Sequence, residues 1–207
     1  MSTSPTSAET TALLLESPRR LSVAEYHRMI EAGILDEDER LELLEGVIFA
    51  TSPQDEPHAW PIQRLTRILT RVLGDEYDVR VQLPLTLGRA DEPEPDLAVV
   101  RSGPRTKGRH PRTAVLVVEV ARDSLRRDRT LKAALYARFR VPEYWVVNVV
   151  DETVEVFTEP RPRLGIYGRV RTVGKRETLL SERLPEVTVP VRHLFSWDPV
   201  RGPRTTP

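Results

Sequence analysis

Apolar and polar positions along this chain switch between a helical and a strand period, and each switch marks an element. Val23, Tyr26, Met29 and Ile30 recur at helical spacing behind Ser22, a good N-cap, so a short helix is expected there. Residues 40–50 carry short apolar runs on either side of Gly46 and read as two strands joined by a turn. After Pro53 and Pro57, residues 58–73 put Ile62, Leu65, Ile68, Leu69, Val72 and Leu73 on one helical face, with Gly74 where such a helix would stop. Three strand-like segments rich in Val and Leu follow, at 77–87, 95–100 and 113–121. The connection 101–112 is rich in Gly, Pro and basic side chains and reads as an exposed loop.

Asp123 and Ser124 stand where a cap would start a helix running to about Arg140, with Leu131, Ala134, Leu135 and Arg138 as its stripe. Residues 143–150 read as a buried strand, and 154–157 as its partner across Asp151-Glu152. Residues 167–173 and 187–191 suggest peripheral strands before a last helical turn at 193–195. The Ser- and Thr-rich residues 1–18 read as a disordered tail and 198–207 as a C-terminal tail, leaving a single domain at 19–197. The central order is thus helix, three strands, helix, strand. The second helix must cross over to reach a buried strand, so an α/β fold is expected: a mixed β-sheet core with at least one parallel pairing, flanked by helices, with additional peripheral strands.

One residue breaks the pattern. Glu119 lies in the apolar run 113–121, and a carboxylate in a buried strand is costly unless a cation, a metal or hydrogen-bond donors compensate it. Alternation gives Glu119 one face with Val115, Val117 and Ala121, and Asp96 one face with Ala98 and Val100. If those strands are neighbours, the two acids can share a divalent ion, and hard oxygen ligands suit Mg²⁺ or Mn²⁺, with the Val120 carbonyl as a further oxygen. On the following helix Lys132 shares a stripe with Asp128 and Tyr136. It could orient or deprotonate water, or stabilise charge on a phosphate; equally, it could be a surface lysine paired with Asp128. His58, at a helix start, could reach the site as a donor, and Glu42 or Glu45 could add a carboxylate, although solvated charge is the default in that acidic stretch.

Charge sharpens the picture. The net charge is zero, yet residues 101–132 carry eight Arg and two Lys against three acids, a net of +7, and residues 31–45 carry a net of −6. Arg101, Arg105, Lys107 and Arg109 are therefore candidate contacts to a nucleic-acid backbone. There is no cysteine, which excludes disulfides and zinc–thiolate sites and makes a cytoplasmic location the expectation. No apolar run approaches the ~20 residues of a membrane span.

The ordered set of motifs resembles the Uma family of restriction endonucleases, within the PD-(D/E)XK nuclease superfamily. The residues that carry the resemblance are Leu41-Glu-Leu-Leu-Glu-Gly46, His58, Glu94-Pro95-Asp96, and the block from Glu119 through Ser124, Asp128, Lys132 and Tyr136 to Asn148. It implies a four-stranded mixed sheet flanked by helices, Asp96 and Glu119 as metal ligands, and Lys132 in place of the superfamily's strand lysine, since Ala121 stands two positions after Glu119. Leu41, Arg122, Arg140 and Asn148 depart from the family pattern without removing a proposed ligand.

The leading expectation is a Mg²⁺- or Mn²⁺-dependent endonuclease acting on DNA, with Asp96, Glu119, Lys132, Glu42 and His58 as catalytic candidates. One alternative is a catalytically silent nuclease-fold protein that binds nucleic acid or a partner. Another is an interaction protein with Tyr144 and Trp145 in a homodimer seam, although on a buried-type strand these aromatics read better as core.

Overall fold

The structure is a computed structural model that describes residues 19–36, 39–51, 56–104 and 109–196. Both expected tails, as well as Arg105 and Lys107, lie outside the described residues.

A six-stranded sheet of order β3-β4-β5-β6-β7-β8 organises the chain: β3 (Tyr77–Val81), β4 (Leu97–Arg101), β5 (Leu116–Ala121), β6 (Glu143–Asn148), β7 (Thr153–Arg161) and β8 (Ile166–Val173). All neighbours are antiparallel except β5 and β6, the one parallel pair. That pair requires a crossover, and a helical segment at 125–138, α3, makes it. α3 is α-helical at Leu125–Arg127 and Ala133–Arg138, with a π turn at Asp128–Lys132 between them. A longer helix, α2 (Glu56–Leu73), covers the other face, packing Leu65 and Leu69 on Leu97, Val99, Val118, Val120 and Trp145. On the α3 face, Leu135 and Tyr136 meet Val117, Ala121, Tyr144 and Val146. Tyr144 and Trp145 are fully buried within the chain, so they form core and not a dimer seam.

The remaining elements are α1 (Val23–Glu31), the hairpin β1 (Leu41–Leu44) and β2 (Val47–Ala50), a two-stranded pair of β9 (Thr178–Leu180) and β10 (Thr188–Pro190), and α4 (Arg192–Phe195). Ser22 caps α1 in a full capping box with Glu25. The β1–β2 turn places Glu45 and Gly46 at positive φ. A Cβ on Gly46 would meet the Leu21 carbonyl at 2.8 Å, so only glycine fits. Among the described residues no helix is long and apolar enough to cross a membrane.

Several expectations need correction. The sheet has six strands, not the four implied by the family resemblance, because β7 and β8 extend it, with β8, from the peripheral segment at 167–173, as its edge strand. The strand expected at 77–87 stops at Val81, since Gln82 has positive φ and Pro84 follows. Leu85 and Leu87 still reach the core, but from irregular chain, which is why their alternation imitates a strand. The strand expected at 113–121 begins at Leu116. Asn148 ends β6 two residues early, accepting the Val150 and Asp151 amides on its Oδ1. α2 begins two residues before His58, because Pro57 is tolerated in a first turn. Ser124 stands at the head of α3 but does not cap it with its side chain. Its hydroxyl donates to Asp128 Oδ2 at 2.5 Å.

Candidate active site

The β4–β5 register pairs Leu97 with Val118, so its continuation sets Asp96 opposite Glu119, at the N-terminal end of one strand and near the C-terminal end of the other. The Val120 amide donates to Asp96 Oδ2 at 2.8 Å, and Gln82 Nε2 donates to Oδ1 at 3.4 Å. His58, from the first turn of α2, places Nε2 3.3 Å from Asp96 Oδ2. Burial disfavours the charged imidazole, but the hydrogen bond and charge of Asp96, with the backbone of Val120, outweigh it and raise the His58 pKa.

Glu119 is 4% exposed and points to the α3 face. The stripe Asp128–Lys132–Tyr136 runs over it: Lys132 Nζ donates to Glu119 Oε1 at 3.0 Å, and the Tyr136 hydroxyl donates to the same oxygen at 2.7 Å. Glu119 Oε2 takes no donor among the described residues. The π turn lies in this stripe, between the two α-helical parts of α3. The Tyr144 hydroxyl donates to the Asp128 carbonyl at 3.2 Å, fixing that turn from the sheet below.

A second acid reaches Lys132 from β1. Glu42, fully buried, lies 2.9 Å from Nζ through Oε2, while its Oε1 has no hydrogen-bond partner among the described residues and sits 4.0 Å from Arg127. Glu42 and Glu119 thus bond one buried ammonium, with Asp128 acting on it as well and Asp96 opposite Glu119. Burial opposes the charge of Lys132, but Glu119, Glu42 and Asp128 overcome this and hold its pKa far above the ordinary lysine value. Burial also pushes the Glu119 carboxyl up. Lys132 pulls it down, while Asp128, Asp96 and Glu42 push it up again, to about 8. Asp128 is raised as well, chiefly by burial. Lys132 therefore keeps its proton near neutral pH. Its charged form gives Glu42 and Glu119 a compensating cation.

Three of these acids and Lys132 share one cleft of about 90 Å³. Asp96, Glu119, Val120, Asp128 and Lys132 line it, with His58, Glu94, Ser124 and the guanidinium-bearing Arg40, Arg122 and Arg127 around them; Glu42 lies just behind. Among the described residues no three His, Cys, Asp or Glu side chains are arranged to cage a metal ion. Two facing carboxylates fit Mg²⁺ all the same, because that ion takes one or two protein carboxylates and fills its octahedron with water and substrate phosphate. The concentration of buried negative charge at Glu42, Asp96, Glu119 and Asp128 points the same way.

Asp96, Glu119, Val120, Lys132, Glu42 and His58 come together. Glu45 does not; it pairs with Arg138 at the hairpin turn. Arg101 and Arg109 line a different groove, at the far end of the sheet. Lys132 is 3% exposed, which removes the reading of it as a surface partner of Asp128. The sequence reading missed Tyr136 as a donor to Glu119, although it stands four residues beyond Lys132. It also passed over Glu143, fully buried at the start of β6, which carries the same anomaly as Glu119. Glu143 is held by Trp145 Nε1, Ser181 Oγ and the Glu182 and Arg183 amides at 2.7–3.0 Å, a set of neutral donors away from the cleft.

A mixed sheet with a helix on each face and carboxylates at the parallel crossover defines a nuclease-like α/β protein. The fold matches that of a protein described as a putative nuclease belonging to DUF820 from Anabaena variabilis, with a TM-score of 0.66 and 16% identity over 82% of this chain and 97% of that one. The chain belongs to the Uma2 family, described as "Putative restriction endonuclease", whose pattern matches residues 23–192. No curated protein matches it.

Proposed function

We propose that the chain is a Mg²⁺- or Mn²⁺-dependent endonuclease that hydrolyses phosphodiester bonds of DNA in the cleft built on Asp96 and Glu119. The observation that carries this reading is the grouping of buried charge: Asp96, Glu119 and Asp128 line one cleft with the buried Lys132 ammonium and with arginines beside them. Asp96 and Glu119 would hold the ion, beside the Val120 carbonyl. A bound divalent ion supplies Lewis acidity to the scissile phosphate and lowers the pKa of its water. Lys132 and Tyr136 fix the Glu119 carboxylate, and Lys132 adds a positive charge that costs no reorganisation when a phosphate becomes more anionic. His58 and the Val120 amide fix Asp96. Arg40, Arg122 and Arg127 would contact the phosphate backbone from the cleft lining, among Glu94 and Asp123.

A second reading has one observation behind it: Glu119 Oε1 is already occupied by Lys132 and Tyr136, as it would be in a silent nuclease fold that only binds nucleic acid. Incubation with supercoiled plasmid and Mg²⁺ or Mn²⁺ separates the two. The endonuclease reading expects nicked or linear product that Asp96→Asn and Glu119→Gln each abolish. Intact plasmid with both ions, and no ion-induced rise in Tm, would sink it; a gel shift without cleavage would favour the silent fold.

A further inference from the structure

The arginines that the cleft leaves unused gather at the opposite end of the sheet. There Arg80, Arg101, Arg109, Arg112 and Arg140 line a groove of about 910 Å³ in which Asp78 is the one acid among the described lining residues. Val115 lies at this end of the chain entering β5, and Glu119 lies four residues on, so roughly 13 Å separates groove and cleft at ~3.3 Å per residue. Part of the groove wall is apolar, from Val100, Pro111 and Pro142. Arg80 is engaged with the Pro84 carbonyl and His110, and Arg101 with Glu76. Arg109, Arg112 and Arg140 form no ion pair among the described residues and are exposed.

Arg140 adds an independent observation. α3 ends at Arg138, and the Val141 amide reaches back to the Tyr136 carbonyl at 3.0 Å, which closes the helix through a residue in the left-handed region. That residue is Arg140, at φ +60. Glycine adopts this conformation without penalty, whereas a long side chain there carries strain. The chain bears that strain at a position whose guanidinium lines the basic groove.

We propose that this groove is a second, non-catalytic site for a nucleotide phosphate ester, with the phosphate held by Arg109, Arg112 and Arg140 and the sugar and base laid against the apolar wall. Arginine forks suit phosphate oxygens, and the volume is that of a small-ligand site. A free mononucleotide and the 5′-phosphorylated end of a strand present the same chemistry.

The test is titration calorimetry on the full chain in EDTA, with dAMP, a short 5′-phosphorylated DNA strand and inorganic phosphate as separate probes. Arg112→Ala and Arg140→Gly are each expected to weaken binding by roughly tenfold, the size of one charge-assisted contact. Arg140→Gly should meanwhile raise Tm by about 2–4 °C, so loss of binding is not loss of fold. Asp96→Asn should leave the affinity in place. Tight dAMP binding identifies a free nucleotide as the ligand, and binding of the strand alone identifies a strand end. The proposal is overturned if neither binds, if both arginine variants bind like the parent, if inorganic phosphate binds as tightly as dAMP, or if Asp96→Asn abolishes binding.

Discussion

Lys132→Met removes the ammonium from the acid cluster while keeping an unbranched side chain of similar length in its place. The parent ammonium bonds Glu119 Oε1 at 3.0 Å and Glu42 Oε2 at 2.9 Å, and the residue is 3% exposed. Removing one partner of a buried pair costs about 3–5 kcal/mol, because the remaining charge keeps its desolvation penalty and loses its compensation. In a chain of this length each kcal/mol moves Tm by about 2–4 °C, so a fall of roughly 6–20 °C is expected. A surface lysine paired with Asp128 would have contributed about 0.5 kcal/mol at most, a shift of roughly 2 °C. The loss should also depend on pH. Without Lys132 the acids recover only by binding protons that the unfolded chain releases, so the deficit should grow from about pH 5 to about pH 8. Thermal melts followed by circular dichroism in EDTA measure both effects, and added Mg²⁺ or Mn²⁺ should restore part of the loss. A variant melting within about 2 °C of the parent at pH 8 would refute the claim that Lys132 compensates this cluster.

Glu119→Gln probes the same cluster from the acid side. The Glu119 carboxyl sits at about 8 in the fold against an ordinary 4.5, so its stabilising proton is fully bound below about pH 4.5 and lost as pH rises through 8. Metal-free parent should therefore lose about 2 kcal/mol between pH 6 and pH 8 through this group, or roughly 4–8 °C in Tm, and Glu119→Gln should lack that slope; parallel melting curves for the two would contradict it. Glu143→Gln swaps a carboxylate held by four donors for an amide that turns an N–H toward some of them. It should lower Tm by roughly 4–8 °C, from a loss of about 2 kcal/mol, while leaving any plasmid cleavage by the folded protein unchanged; a loss of cleavage with normal Tm would put Glu143 in the site.

The sequence alone showed that Glu119 needed an explanation, because one acid among valines is visible without knowing any contact. Its twin Glu143 escaped notice at a strand's edge, where an acid looks ordinary. Three of its four donors lie nearly 40 residues downstream, at Ser181 to Arg183, in a segment with no pattern to announce them. Likewise the i, i+4 stripe put Lys132 with Asp128 and Tyr136. The choice between pairing along the helix and pairing across to β5 was not in that spacing.

What the sequence by itself determined is what local periodicity and turn chemistry encode: the capped first helix, the Gly46 hairpin, the helix from α2, the valine-rich strands and the need for one crossover. Tertiary structure decided the rest. The β4–β5 register set Asp96 opposite Glu119, the packing of α3 on the sheet turned Lys132 inward, and the docking of the hairpin brought Glu42 to Lys132 across 90 residues of chain. It also sent Arg101 and Arg109 to the far end of the sheet, away from the acids they follow or precede in sequence. Periodicity is a property of neighbouring residues. Compensation of a buried charge is a property of whatever the fold places within about 3 Å, and strand order and crossover alone fix that.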